Sequence, residues 1–245
     1  DLVIASHGDA DHLGGVPAIV RALDPDLVLE PGQPLETSLY LEHLAAVDEQ
    51  GVTWRAARLG DSVWIDGILL AVLHPSRPWV ATQLAPNENS VVIRLVVDDF
   101  VALFTGDIGA VVESALGASA GRADLLKVGH HGSAGGTTAE WLETVRPRAA
   151  VISVGANRYG HPDPGVLQRL EERGIRVFRT DRGGTVTIRT HGSYFEVTQG
   201  GPLSGLERLA CKLRPLLRSS GSSFSRNACT PARRESFPTS STTSR

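Results

Sequence analysis

The stretch Ser6-His7-Gly8-Asp9-Ala10-Asp11-His12-Leu13-Gly14-Gly15 holds the densest chemistry in the chain. His7, Asp9, Asp11 and His12 put imidazoles and carboxylates within one short stretch, a nitrogen and oxygen ligand set suited to a divalent cation. In extended backbone, residues 7, 9 and 11 project to the same side, and His12 adds an imidazole where a helix is expected to begin. A solvated loop with an Asp helix cap explains one Asp. It does not explain a His and Asp pair repeated beside an apolar run, so the stretch reads as a metal nest.

The elements around it place it. Leu2-Val3-Ile4-Ala5 reads as a buried strand, and residues 16 to 23 read as a helix. The motif thus lies on a strand-to-helix loop, where α/β proteins commonly carry their chemistry. Further polar groups follow apolar runs in the same way: Asp107 after 101–105, the pair His130-His131 after 124–128, and His161 after 149–154. A carboxylate such as Asp107 has two oxygens and can bridge two cations. Two metals ~3.5–4 Å apart can activate a water and stabilise charge on a phosphate or carbonyl together.

Other helices are expected at 35–50, 110–118, 138–145 and 164–173, with a hairpin at 91–97 and 101–105 and strands at 175–179, 185–190 and 194–198. His43 has no metal-type neighbours in sequence and reads as a packing or surface residue; Asp181 reads as a turn residue.

The chain has 245 residues, 41% hydrophobic and 21% charged, which is the composition of a soluble globular protein. No run approaches the ~20 apolar residues of a membrane span. Cys211 and Cys229 lie near the end, so the core rests on neither a disulfide nor a Cys-rich metal site. Residues 203–245 carry eight Lys/Arg and two Glu, a balance of +6; taken from the total of -3, this leaves -9 for residues 1–202. The composition changes at Gly200-Gly201-Pro202. We therefore expect one domain over 1–201 and a basic, Ser/Thr/Arg-rich tail over 202–245 without a core, with 203–217 able to form a short basic helix.

Five motifs in order resemble a known family. His7-Gly8-Asp9-Ala10-Asp11-His12, Gly106-Asp107 and His130-His131-Gly132-Ser133 resemble the metallo-β-lactamase superfamily. With Asn87-Glu88-Asn89-Ser90, Leu126-Lys127 before the His pair, and Arg158-Tyr159-Gly160-His161-Pro162, the set is similar to the C-terminal hydrolase-like domain of ComEC-type competence proteins, over residues 1 to about 198. The resemblance implies an αββα four-layer sandwich with the site at one edge of the paired sheets. Because the motif strand starts at Asp1, the chain is expected to lack the first strands of that fold.

The resemblance further implies two divalent ions, Zn²⁺ or Mn²⁺. His7 and Asp9 would hold one, Asp11 and His12 the other, with Asp107 bridging and His131 completing the second site. Catalytic duties would fall to Asp11, His130, His161 and Lys127. Most of the superfamily has His where this chain has Asp9, and the harder ligand suits Mn²⁺ or Mg²⁺ as well as Zn²⁺. A further superfamily ligand His has no counterpart at 87–90. His74 is the nearest candidate, in a His-Pro context that suits a structural turn. The implied activity is hydrolysis, foremost of phosphodiesters in DNA during DNA uptake. Its partners would be DNA and a membrane channel domain of the same protein at the bacterial inner membrane. The alternatives are a catalytically weak DNA-handling module and a small-molecule metallo-hydrolase.

Overall fold

The structure, a computed structural model, describes residues 1–78, 83–191, 194–201, 204–212 and 229–231. The chain opens with β1 (Leu2–Ile4), a short α1 (Ala10–Leu13), α2 (Val16–Leu23), β2 (Leu27–Glu30), α3 (Ser38–Gln50) and β3 (Thr53–Ala56). Pro17 in the first turn of α2 suits a position whose N–H has no helical partner, and Thr37 caps α3 by accepting from the Tyr40 N–H. β1, β2 and β3 form a parallel sheet in that order. Its outer face buries Val28 against Leu13, Val16, Val20, Ala46 and Val47 of the three helices.

A second sheet follows: β4 (Ser62–Ile65), β5 (Ile68–His74), β6 (Val92–Val97), β7 (Phe100–Phe104), β8 (Leu125–Lys127), β9 (Ala149–Ile152) and β10 (Arg176–Arg179). β4 to β7 run antiparallel as hairpins, while β7, β8, β9 and β10 are parallel neighbours. The crossovers carry α4 (Ala110–Leu116), α5 (Ala139–Val145) and α6 (Pro164–Glu172). Alternate residues face opposite sides. Val101, Leu103, Leu126, Ala150 and Ile152 pack under Val112, Leu116, Trp141, Leu142, Val166 and Leu170 of these helices.

The inner face of this sheet is covered in two halves. Leu29 of β2 meets Val72, Val91 and Ile93 on the β5–β6 side. Phe100, Ala102, Leu125, Ala149 and Phe178 meet Phe195 and Val197 of a third sheet, formed by β11 (Thr185–His191), β12 (Tyr194–Gly201), β13 (Ser204–Lys212) and β14 (Cys229–Pro231). Helices, sheets, sheet and helices stack as the αββα sandwich. Because β7, β8 and β9 are parallel, their C-terminal ends emerge at one edge, and the loops that begin at Thr105, Val128 and Ser153 open there together.

Two expectations need correction or restriction. The helix expected over 203–217 is instead a strand over Ser204–Lys212, antiparallel to β12. The edge of β12 supplies this segment with ladder hydrogen bonds, from Tyr194 opposite Lys212 to Gly201 opposite Ser204. β13 therefore pairs across the expected boundary at 201/202. The rest of the tail, apart from Cys229–Pro231, lies outside the described residues. Among the described residues no helix is long and apolar enough to cross a membrane.

Candidate metal centre

His7 leaves β1 into the buried interior, 1% exposed, while Asp9, Asp11 and His12 follow at the entry of α1. Asp107 follows the left-handed Gly106, whose backbone comes so close to Ser90 that an added Cβ would lie 2.6 Å from the Ser90 Cβ. His130 and His131 form a tight turn after β8, and both adopt left-handed backbone, at φ 45° and 53°. Such conformations are costly for a residue with a Cβ and persist where surrounding structure enforces them.

The turn sends the two imidazoles apart. His131 Nε2 lies 3.2 Å from His12 Nε2, 3.2 Å from Asp11 Oδ2 and 3.4 Å from Asp107 Oδ2. His12 Nε2 lies 3.3 Å from Asp107 Oδ2 and 3.8 Å from Asp11 Oδ2; His7 Nε2 lies 3.6 Å from Asp9 Oδ2. His130 turns toward the Asn87 amide, at 3.3 Å, and the ring of His161, centroids 5.5 Å apart.

Hydrogen bonds at the far ring nitrogens orient these imidazoles. Ser6 Oγ lies 2.9 Å from His12 Nδ1 and 3.2 Å from His7 Nδ1, Ser90 Oγ lies 3.3 Å from His7 Nδ1, and Ser153 O lies 2.7 Å from His131 Nδ1. A carbonyl can only accept, so His131 donates from Nδ1 to Ser153 O and turns its Nε2 toward the cluster. Ser6 and Ser90 hydroxyls fix the rings of His7 and His12 in the same way, which is how proteins commonly orient imidazole ligands. Where both Nε2 atoms are unprotonated, as metal ligands must be, their lone pairs 3.2 Å apart repel one another unless a cation lies between them.

The donor set therefore fits divalent cations. Around a tetrahedral ion with bonds of about 2.0–2.2 Å, ligand atoms sit about 3.3–3.6 Å apart, close to the separations seen. His7 Nε2 and Asp107 Oδ1 are buried without a hydrogen-bond partner among the described residues, as ligand atoms are before their ion is added. Two overlapping groups have the required spacing, His7 with His12 and Asp107, and Asp11 with His12 and His131. His12 is common to both, and Asp9 approaches His7.

Electrostatics agree with this. Burial, aided by the like charge of His12, lowers the His7 pKa to about 4, so the ring is neutral and free to coordinate at neutral pH. Burial opposes ionisation of Asp107, but the His12 hydrogen bond and the charges of Lys127, His12 and His131 outweigh it and hold the carboxyl well below its usual range. Lys127 Nζ donates to Gly106 O at 3.0 Å and lies 3.6 Å from Asp107 Oδ1. Lys127 also lines a second cavity with Ile4, Leu70 and Phe104, which shares Asp11, His12 and His131 with the cluster.

In front lies an open cleft of 560 Å³, lined by Asp9, Asp11, Asn87, Asp107, His130, His131, Ser153, Asn157, Tyr159 and His161, among others. His161 therefore shares the cleft with the cluster. Its pKa is lowered by burial and then by His130 and His131, which leaves it neutral at pH 7. His74 does not reach the cleft: its Nε2 is 3.0 Å from Glu88 O and holds the turn that presents Asn87. His43 is fully buried and packs α3, and Asp181 is engaged at both oxygens by Arg179.

A family profile described as the metallo-beta-lactamase superfamily matches residues 1–156. The chain belongs to the metallo-β-lactamase superfamily. Within that superfamily its curated relatives are competence proteins. It is 33% identical over 192 residues to ComE operon protein 3 of Bacillus subtilis (strain 168), covering 77% of this chain and 24% of that protein. It is 32% identical over 190 residues to competence protein ComA of Neisseria gonorrhoeae, covering 76% and 25%. The chain thus spans about a quarter of the length of these relatives. Among solved structures it matches CmlA, a diiron beta-hydroxylase from Streptomyces venezuelae, at TM-score 0.50 and 11% identity, covering 74% of this chain and 44% of that one; this likeness concerns the fold alone.

Sequence reasoning did not single out Ser6, Ser90, Asn87 or Ser153. The two serines and Asn87 stand inside quoted motifs, yet only the fold shows which imidazoles they face. Ser153 acts through its carbonyl, which leaves no signal in side-chain chemistry.

Proposed function

We propose that this metallo-β-lactamase domain is a metal-dependent phosphodiesterase that acts on DNA in DNA uptake, as part of a longer protein whose other portion forms a membrane channel. The observation that carries the hydrolytic reading is the convergence of His12 and His131 Nε2 with Asp107 and Asp11 carboxylate oxygens at the floor of an open, polar cleft. The resemblance to ComEC-type competence proteins, with a curated relative named competence protein ComA, supports the DNA-uptake setting.

His7, Asp9, Asp11, His12, Asp107 and His131 would hold two divalent cations, with Asp107 between them. When bound, such ions supply Lewis acidity: an acidified water and neutralisation of the charge that develops on phosphate oxygens. The protein's own groups do the rest. His130 and His161 line the cleft, where a ring N–H of each would hydrogen-bond the phosphate or the departing oxygen. Asn87 fixes the ring of His130. Asp11 lies at the cleft lip, 65% exposed at its side chain, where it can accept a proton from the attacking water. Lys127 is a positioning residue that holds Asp107 from behind.

The test is metal content by elemental analysis, run with hydrolysis of single-stranded DNA and of a base-free diester such as methyl 4-nitrophenyl phosphate. Turnover of both by protein carrying about two Zn²⁺ or Mn²⁺ per chain is expected. Metal-loaded protein that hydrolyses neither but binds DNA would make the domain a DNA-handling module instead.

A further inference from the structure

The loop after β9 holds an aromatic group that hydrolysis does not require. Asn157 braces this loop: its Oδ1 accepts from the N–H groups of Tyr159 and His161, and its Nδ2 donates to the carbonyls of Gly155 and His161, at 2.9–3.1 Å. Gly160 turns the chain at φ 77°. The loop is therefore fixed through its main chain, without help from the Tyr159 ring. That ring is 68% exposed and lines the cleft.

The rings form a sequence leading outward. His131 faces the cluster, and the centroid of His130 lies 6.2 Å from it. His161 is 5.5 Å from His130, and Tyr159 is 5.8 Å from His161, its plane tilted by only 24°. The Arg158 guanidinium carbon stands 5.4 Å from the Tyr159 ring centre. An exposed ring on a braced loop, with a planar cation over it and His161 between it and His130, has the features that stack nucleobases in single-strand binding proteins.

We propose that Tyr159, with Arg158, is a stacking platform for a base of a single-stranded nucleic acid whose adjoining phosphodiester lies over the metal-facing cluster. This deepens the phosphodiesterase reading and rests on it. A duplex cannot use the platform, because each of its bases is already stacked and paired. Charge points the same way: residues 1–202 carry -9, which disfavours a broad electrostatic footprint along a backbone and leaves affinity to local contacts at the site, stacking among them. Stacking on a ring face is tolerant of base identity, so little sequence preference is expected.

The test is binding of a phosphorothioate single strand carrying 2-aminopurine to the zinc-loaded full chain. Wild type should quench the fluorophore and prefer the single strand to the duplex of the same sequence. Tyr159→Ala should weaken binding roughly 5- to 150-fold, the range for loss of one base–aromatic stack, and relieve the quenching. Tyr159→Phe should retain both, with circular dichroism confirming that each variant is folded. The platform is overturned if Tyr159→Ala binds and quenches as wild type does, if the duplex binds as tightly, or if no strand binds. Hydrolysis of methyl 4-nitrophenyl phosphate separates the two readings, because that diester carries no base. Its turnover without strand binding rejects the platform and keeps the phosphodiesterase, whereas binding and quenching without its turnover do the reverse.

Discussion

The Asp107 backbone N–H donates to Ser90 Oγ at 3.0 Å, and the same oxygen lies 3.3 Å from His7 Nδ1. One buried hydroxyl thus ties the Asp107 loop at the end of β7 to the imidazole that follows β1, joining the second sheet to the first at the site.

Ser90→Ala should therefore weaken metal binding about 10- to 100-fold, the usual effect of removing an outer-shell partner. It also leaves the buried Asp107 N–H unpaired, at a cost of about 1–3 kcal/mol. Competition with a chromophoric chelator and urea unfolding measure the two effects. Wild-type values in both would show that Ser90 neither orients His7 nor supports the Asp107 loop.

Asp107→Asn keeps the side-chain volume but removes the charge that His12, His131 and Lys127 surround. We expect bound metal to fall from about two ions per chain to one or none, with hydrolysis lost and far-UV circular dichroism unchanged. Elemental analysis after gel filtration decides this; full stoichiometry in the variant would remove Asp107 from the bridging position.

The chelated protein should lose stability as pH falls from about 6.5 to about 4. The folded pKa of His7 is lowered to about 4 by burial and His12, against ~6.5 in the unfolded chain. The unfolded state therefore takes up protons first. The stability contributed by neutral His7 is complete above pH 6.5, falls through this window, and is worth on the order of 3 kcal/mol. His43, fully buried with both ring nitrogens unpartnered among the described residues, is lowered by burial and acts in the same direction. Below this window Asp107 takes over, because its own lowered pKa makes its contribution one that is lost as acid protonates it. Urea midpoints at pH 7 and pH 5 check the sign. His43→Leu should shrink the difference, since an apolar side chain there has no proton to gain.

The fold and the residues proposed as ligands could be read from the chain because their signals are local. Apolar runs ending in Asp107 or in the His130 pair mark strands and their C-terminal ends, and His7 to His12 form one short motif. What was not legible depends on distance. Nothing near Lys127 in sequence says that its ammonium bonds to Gly106 O behind the cluster, and nothing near His74 says that it holds Glu88 O. The strand Ser204–Lys212 was missed because its pairing comes from the edge of β12, not from its own composition. Which member of the His pair faces the cluster is likewise a matter of backbone, fixed by two successive left-handed residues that no residue preference announces.

That backbone separates the two histidines by experiment. Both sit at positive φ, where glycine is unstrained. Substituting glycine relieves strain at either position and removes a different ring. His130→Gly should keep the metal stoichiometry, because His131 Nε2 is the atom beside His12, Asp11 and Asp107. It should lower turnover by ~10²- to 10⁴-fold if His130 serves in proton transfer at the cleft, and its melting temperature in chelator should match or exceed wild type. His131→Gly should gain the same backbone relief yet lose at least one ion per chain. Elemental analysis and melting curves on the two variants, each with and without chelator, test the pair together. If His130→Gly loses metal and His131→Gly retains it, the ligand is His130 and the His131 assignment fails.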